Sequence, residues 1–339
     1  MRVVVTGGAG FIGSHVAEIL IAAGHKVLVI DNLSGGCVEN VPAAARFENR
    51  NVQDPLEDLF RDFSPEAVYH LAAYAAEGLS HHIPLFNYAN NVLGTVNVLN
   101  AAFRASVRHF VFTSSIAAYG HPGTDGPFDE LTPCLPCDPY GAAKLACEHH
   151  IAAFHKYYGR PGYTIVRPHN VFGPRQNISD PYRNVVGIFM RCVMEGAPMP
   201  VFGDGTQTRS FSYITSVARC IAEAPFTKGA EQATFNVGGD EPMTVRDLAQ
   251  QVANLFGTAL NIEWLPARRE VTHAHCRHER VARIFPHLME TQISIADGLK
   301  RMAEFVRVRP VPRPTECPAS IEIADHLPAS WANRLCDLP

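Results

Sequence analysis

No apolar run in this 339-residue chain approaches the ~18–20 residues of a membrane helix, so no spanning segment is expected. Neither a basic stripe nor an acidic tail stands out, and a formal net charge of −4 gives no electrostatic reason to expect nucleic acid or an anionic membrane as partner. Met1-Arg2 leads directly into a stretch of only a few apolar residues, which is not the pattern of a signal peptide. The nine cysteines are odd in number and scattered, as reduced thiols are, and the expectation is a cytoplasmic protein. Cys134-Leu-Pro-Cys137 has no second pair. His273, His275, Cys276 and His278 would divide between the two faces of a strand. No metal is expected.

What is present begins with Arg2-Val3-Val4-Val5-Thr6, a continuous apolar run of the kind found in a strand buried on both faces. It enters Gly7-Gly8-Ala9-Gly10-Phe11-Ile12-Gly13 and then a stretch with helical periodicity, from Ser14 to Leu20, that ends before Gly24. Strand, glycine turn and helix form a dinucleotide cradle, with the pyrophosphate on the helix N-terminus. The glycines are spaced GxxGxxG, unlike the GxGxxG of ordinary dehydrogenases. A second strand, Lys26–Ile30, ends in Asp31, whose carboxylate suits ribose hydroxyls and repels a 2′-phosphate, so NAD is expected over NADP. Further along, Tyr140-Gly-Ala-Ala-Lys144 puts a phenol and an ammonium on one helix face, with Ser115 upstream. The ammonium is expected to favour the phenolate and make Tyr140 a general base near neutrality.

Strands are also expected at Ala67–Leu71, His109–Thr113 and Thr164–Arg167, with a helix from about Leu85 to Arg104. The βαβα order predicts an α/β, doubly wound parallel sheet, and site residues gather at strand C-termini, where such sheets bind ligands. The length suggests two lobes. We expect a Rossmann-like NAD-binding domain over 1–168, to which 211–235 returns, then a smaller α/β substrate lobe over 169–308. Residues 309–339 read as an extended, proline-containing tail packed on the surface or partly disordered, with no function visible in it.

In order, TGGAGFIG, Asp31-Asn32, HLAA at 70–73, SSIAAYG at 114–120, YGAAK at 140–144, NVFGPRQ at 170–176 and GDGTQTRSF at 203–211 resemble the extended short-chain dehydrogenase/reductase family, in its nucleotide-sugar branch. The resemblance covers roughly residues 1 to 308. It implies NAD as cofactor, lined by Gly7, Gly10, Phe11, Ile12, Gly13, Asp31, Asn32, Leu71, Ala73, Ala75, Asn90, Tyr140 and Lys144. Asn51-Val52 stands at the adenine, the Asn51 amide oxygen accepting from it, and His169 stands near the nicotinamide. By the same resemblance Arg209 and Arg268 clamp a substrate diphosphate, with Asn170 donating. Glu270 accepts from a uridine ribose, and Val201 and Phe202 hold the uracil. Ala274 occupies a gate beside the sugar 2-substituent and leaves room for an N-acetyl group. Ser210 and Thr215-Ser216 replace customary aspartates, and their hydroxyls are expected to cap a helix.

Dehydratases and decarboxylases of the branch keep acid and base residues after the catalytic hydroxyl. Here Ser115 is followed by Ile116 and Ala117, which move no protons. Ser115, Tyr140 and Lys144 suffice to oxidise and re-reduce one carbinol, and the pattern is most similar to the UDP-hexose 4-epimerases. The implied partner is a UDP-sugar or another NDP-sugar, and the implied assembly a homodimer through helices near 87–105 and 141–158. A reductase, dehydratase or multi-position epimerase on another nucleotide sugar is the alternative enzyme. A dinucleotide-binding regulator without turnover is the alternative outside enzymes, disfavoured because Tyr140 and Lys144 are both kept.

Overall fold

Six short segments, mostly apolar except for the polar β3, form the strands β1 (Arg2–Thr6), β2 (Lys26–Asp31), β3 (Arg46–Asn49), β4 (Ala67–His70), β5 (His109–Thr113) and β6 (Gly162–Pro168) in a computed structural model describing residues 1–121, 127–267, 271–309, 319–328 and 331. Side chains alternate between the faces of their sheet, as the strand repeat requires. Val3, Val5, Val27, Val29 and Tyr69 join one buried cluster, whereas Val4, Leu28, Ile30, Val68, Phe110 and Phe112 join another. Helices Phe11–Ala22 and Ile214–Glu223 cover the first face through Val16, Leu20, Val217 and Ile221. Helices Glu57–Phe63, Gly94–Arg104 and Pro139–Tyr158 cover the second through Phe60, Leu99 and Ile151.

The sheet is parallel throughout, in the order Ala233–Val237, β6, β5, β4, β1, β2, β3. That is a doubly wound Rossmann-like sheet whose order reverses between β1 and β4, the place where such sheets hold ligands. Three smaller sheets follow in the second half of the chain. Ser212–Tyr213 pairs with Val171–Phe172, and Ile262–Leu265 pairs with Met199–Phe202. The third sets Thr208–Ser210 between Pro242–Thr244 and His273–Ala274.

Three local expectations are corrected. The helix from about Leu85 to Arg104 is broken into Pro84–Tyr88, a π-helical turn Ala89–Leu93 and Gly94–Arg104. At the turn, the Asn91 carbonyl accepts from Thr95 (2.6 Å) while its side-chain oxygen accepts from the Tyr74 amide (2.8 Å). The bulge thus ties the helix to the loop after β4. Ser210 and Thr215 cap no helix: Tyr213 precedes Ile214–Glu223 without a side-chain cap, and both hydroxyls are buried without a partner. The last described residues are also more than a surface tail. Ala319, Ile321, Leu327 and Trp331 share a cluster with Tyr74, Leu79, Ile83 and Tyr182, and Trp331 is only 5% exposed.

Candidate active site

The C-terminal ends of β1, β2, β4 and β5 open into one cavity of about 1960 Å³. A single small-molecule pocket reaches ~1,000 Å³ at most, so this one has room for two ligands. At one end it is lined by Gly7, Gly10, Phe11, Ile12, Gly13, Asp31, Asn32, Asn51, Val52, Leu71, Ala73, Ala75 and Asn90. Gly7 adopts φ +71°, and a Cβ on Gly13 would lie 2.1 Å from the Gly7 carbonyl oxygen, so only glycine permits the turn to close on the helix. The Asp31 carboxylate accepts from the amides of Ala9 (3.0 Å) and Leu33 (2.8 Å), which hold it at the cavity wall. Burial raises its pKa against the pull of those bonds. Glycine turn, free helix N-terminus and oriented carboxylate fit a dinucleotide. Asn51 differs in detail: its amide oxygen already accepts from the Gln53 amide (3.0 Å) in a local turn.

Ser115, Tyr140 and Lys144 meet at the same cavity. Asp138 accepts from the Gly141 amide (2.8 Å) and Pro139 takes the first helical position, so the helix starts where its Tyr140 side reaches the cavity. Ser115 and Tyr140 both line the cavity, and the Tyr140 amide donates to the Ser80 hydroxyl (3.2 Å). Burial pushes the phenol far above its ordinary value. The nearby Ser115 hydroxyl opposes that rise; Glu77 and Asp138 reinforce it, and Arg183 opposes it. Lys144 is arranged otherwise than expected. Its ammonium donates to the Thr113 carbonyl (2.8 Å) and lies over the Phe112 ring, 5.8 Å from the centre of the Tyr140 ring. Burial lowers the Lys144 pKa to about 8. The tether to β5 keeps the charge beside the tyrosine ring.

At the other end, Asn170, Phe202, Arg209 and Ala274 line the cavity. Arg209 donates to the carbonyls of Thr208 (2.9 Å) and Thr272 (3.0 Å), and Ala274 is its register partner across two parallel strands. Val201 is corrected: it is fully buried in the core, because along its strand Pro200 and Phe202 face the cavity and Val201 faces away. Arg268 and Glu270 lie outside the described residues.

His169 reaches the cavity but is tied into a chain of rings. Its Nδ1 meets the Ser210 carbonyl (3.1 Å), its Nε2 meets Nε2 of His278 (2.9 Å), and Nδ1 of His278 bonds the Asp240 carboxylate. Donors are needed at the carbonyl, at the carboxylate and once between the rings. Burial, then His278, lowers the His169 pKa to about 3, so His169 itself is neutral. Among the described residues, no three His, Cys, Asp or Glu side chains converge to hold a metal.

Sequence reading missed Glu77, Asp138, Arg183 and Asn184, all on the cavity wall. Asn184 and Asp138 carry a faint signal, since each precedes a helix and caps it. Glu77 and Arg183 carry none: each comes from a loop, and its relation to Tyr140 exists only in three dimensions.

The profile of the NAD dependent epimerase/dehydratase family matches residues 3–238. A UDP-glucose 4-epimerase of Mycolicibacterium smegmatis is 34% identical over 317 residues, covering 91% of this chain and 99% of the relative. UDP-glucuronic acid decarboxylase 1 of Arabidopsis thaliana is 31% identical, covering 91% of this chain and 70% of the relative. Among solved structures, that of a UDP-glucose 4-epimerase with UDP-glucose, from Thermotoga maritima, aligns with a TM-score of 0.84 at 33% identity. The alignment covers 91% of this chain and 99% of that one.

Proposed function

The chain belongs to the NAD-dependent epimerase/dehydratase family, and from that premise we propose that it inverts a UDP-sugar at C4 through a transient 4-keto intermediate. NAD is its cofactor, and the family's relatives modify nucleotide sugars. The observation that carries the finer reading is the Ser115–Tyr140 hydroxyl pair in a cavity with room for cofactor and substrate together, followed by Ile116 and Ala117 where an elimination would need an acid and a base.

In this reading Tyr140 takes the proton of the sugar 4-hydroxyl, and Ser115 bonds the same oxygen and relays the proton. NAD held by the Gly7–Gly13 turn and Asp31 would supply a hydride acceptor and donor for C4, and no external oxidant would be needed. Lys144 orients the nicotinamide ribose from its tether on Thr113. Asp31 selects the unphosphorylated adenosine ribose. Arg209 anchors the diphosphate while the keto sugar turns over and presents its other face, a task suited to a guanidinium fork.

Glu77 and Asp138 act on Tyr140 from loops, which favours one second reading. Carboxylates at the sugar would support elimination of water as well as epimerisation. Proton NMR of the enzyme with UDP-glucose, UDP-N-acetylglucosamine and UDP-glucuronate, in separate tubes without added NAD, separates the two. A C4 epimer gives a new anomeric signal. A 4-keto-6-deoxy product gives a new methyl doublet. No change in any tube, even after NAD is added, sinks the 4-epimerase reading.

A further inference from the structure

The family resemblance ends near residue 308, yet the chain beyond it is built into the active-site wall. Glu322 accepts from the amides of Leu85 (2.7 Å) and Phe86 (2.9 Å) at the start of helix Pro84–Tyr88. The His82 carbonyl accepts from the amides of Glu322 (2.8 Å) and Ile323 (3.2 Å), and Nδ1 of His82 donates back to the Ile323 carbonyl (2.9 Å). This clasp fastens the segment to the turn Glu77–His82, which follows β4. Asp325, His326 and Trp331 then line the same cavity as Tyr140.

Trp331 is the keystone of the contact. Its ring meets Tyr182 edge-on with centres 5.2 Å apart, and His82 at 6.3 Å. The neighbouring Arg183 guanidinium lies 4.8 Å above the Tyr74 ring, in the same apolar cluster, and is paired with Asp180 (2.8 Å). We infer that residues 319–328 together with Trp331 form a positioning element of the active site, holding Arg183 and the 77–82 turn in place beside Tyr140. This rests on the reading of Tyr140 as the catalytic base.

The charged and polar groups facing the phenol show why the placement matters. From its own helix come the cap Asp138 and, beside the ring, Lys144. Ser115 comes from the turn after β5, Glu77 from the loop after β4 and Arg183 from the loop before helix Val185–Glu195. Arg183 and Ser115 favour the phenolate, while Glu77 and Asp138 disfavour it. Two of these groups, Arg183 and Glu77, sit on loops braced by Trp331 and by the His82 clasp. Loosening the brace removes a stabilising cation from the phenolate and frees a carboxylate next to it.

Two measurements on the full-length enzyme test this. Amide hydrogen exchange needs no substrate. In Trp331→Ala and in a chain ending at Arg309, the amides of Leu85 and Phe86 and the segments 77–82 and 182–184 should exchange at least tenfold faster, with the β1–β2 core unchanged. Unchanged exchange overturns the inference whatever reaction the enzyme performs. The second is the pH profile of kcat on whichever nucleotide sugar the intact chain turns over. Trp331→Ala should lower kcat roughly tenfold and move the acid limb upward, Trp331→Phe should restore most of both, and NAD retention should not change. Arg183→Gln should reproduce the shift, and the double variant should add little to it. Fully additive effects, or a kcat loss with an unmoved acid limb, would mean that the segment does not act through Arg183. An intact chain inert on every sugar defeats the functional reading separately.

Discussion

Replacing Lys144 by Met should cost the enzyme its activity while making the folded chain more stable at neutral pH. Lys144 is 3% exposed, and burial brings its pKa from 10.5 to about 8. A base whose folded pKa lies below its unfolded one binds fewer protons when folded, so stability rises with pH between the two values and is lower and constant below both. At pH 7 the ammonium is charged in both states, and the whole displacement to about 8 costs about 3 kcal/mol. At pH 10 the folded chain holds a neutral amine, and the remaining cost is about 1 kcal/mol. Met has similar volume and no charge, so the variant escapes the penalty. It also loses the bond to the Thr113 carbonyl, a loss independent of pH that cancels when the two pH values are compared. Urea denaturation of cofactor-stripped wild type and Lys144→Met at pH 7 and pH 10 gives the answer. The stability gap should move by roughly 2 to 3 kcal/mol in favour of the wild type on going to pH 10. The buried tyrosines titrate in both chains and drop out of the gap. An equal gap at both pH values would refute the reasoning, because the ammonium would then be as well solvated in the fold as in the unfolded chain.

Tyr140→Phe should lower turnover at least a hundredfold, as expected for removal of a general base, while NAD still co-purifies; absorbance of the bound cofactor and the NMR assay read the two parts separately. Gly13→Ala puts a methyl group 2.1 Å from the Gly7 carbonyl oxygen, so NAD affinity should fall at least tenfold and the melting temperature should drop; calorimetric titration with NAD showing wild-type affinity would contradict the close approach. Ala274→Tyr fills the wall opposite Arg209 and should suppress UDP-N-acetylglucosamine turnover while sparing UDP-glucose. Equal turnover of both sugars would remove Ala274 from the gate.

The cofactor end was legible because its parts are contiguous. A strand, a glycine turn and a helix within residues 2–22 must fold together, and their chemistry depends on backbone shape that glycine alone permits. The Tyr140–Lys144 pair was legible for the same reason, since helix geometry sets what lies at i and i+4. Even there the reading went one step too far: which atom the ammonium meets depended on the Thr113 carbonyl, a group thirty-one residues away in sequence. Along Pro200–Phe202 the motif located the strand, but its side of the core decided that Phe202 faces the cavity and Val201 does not.

From local spacing and the order of its motifs, the chain by itself determined the parallel sheet, the dinucleotide cradle and the hydroxyl pair of the proposed chemistry. Tertiary structure alone decided the surroundings of those groups. It brought Arg183 and Glu77 to Tyr140, linked His169 to Asp240 through His278, and folded Trp331 back against Tyr182. The physical reason is that burial and Coulomb forces act through distance in space, and no periodicity in a sequence records which remote loops will meet.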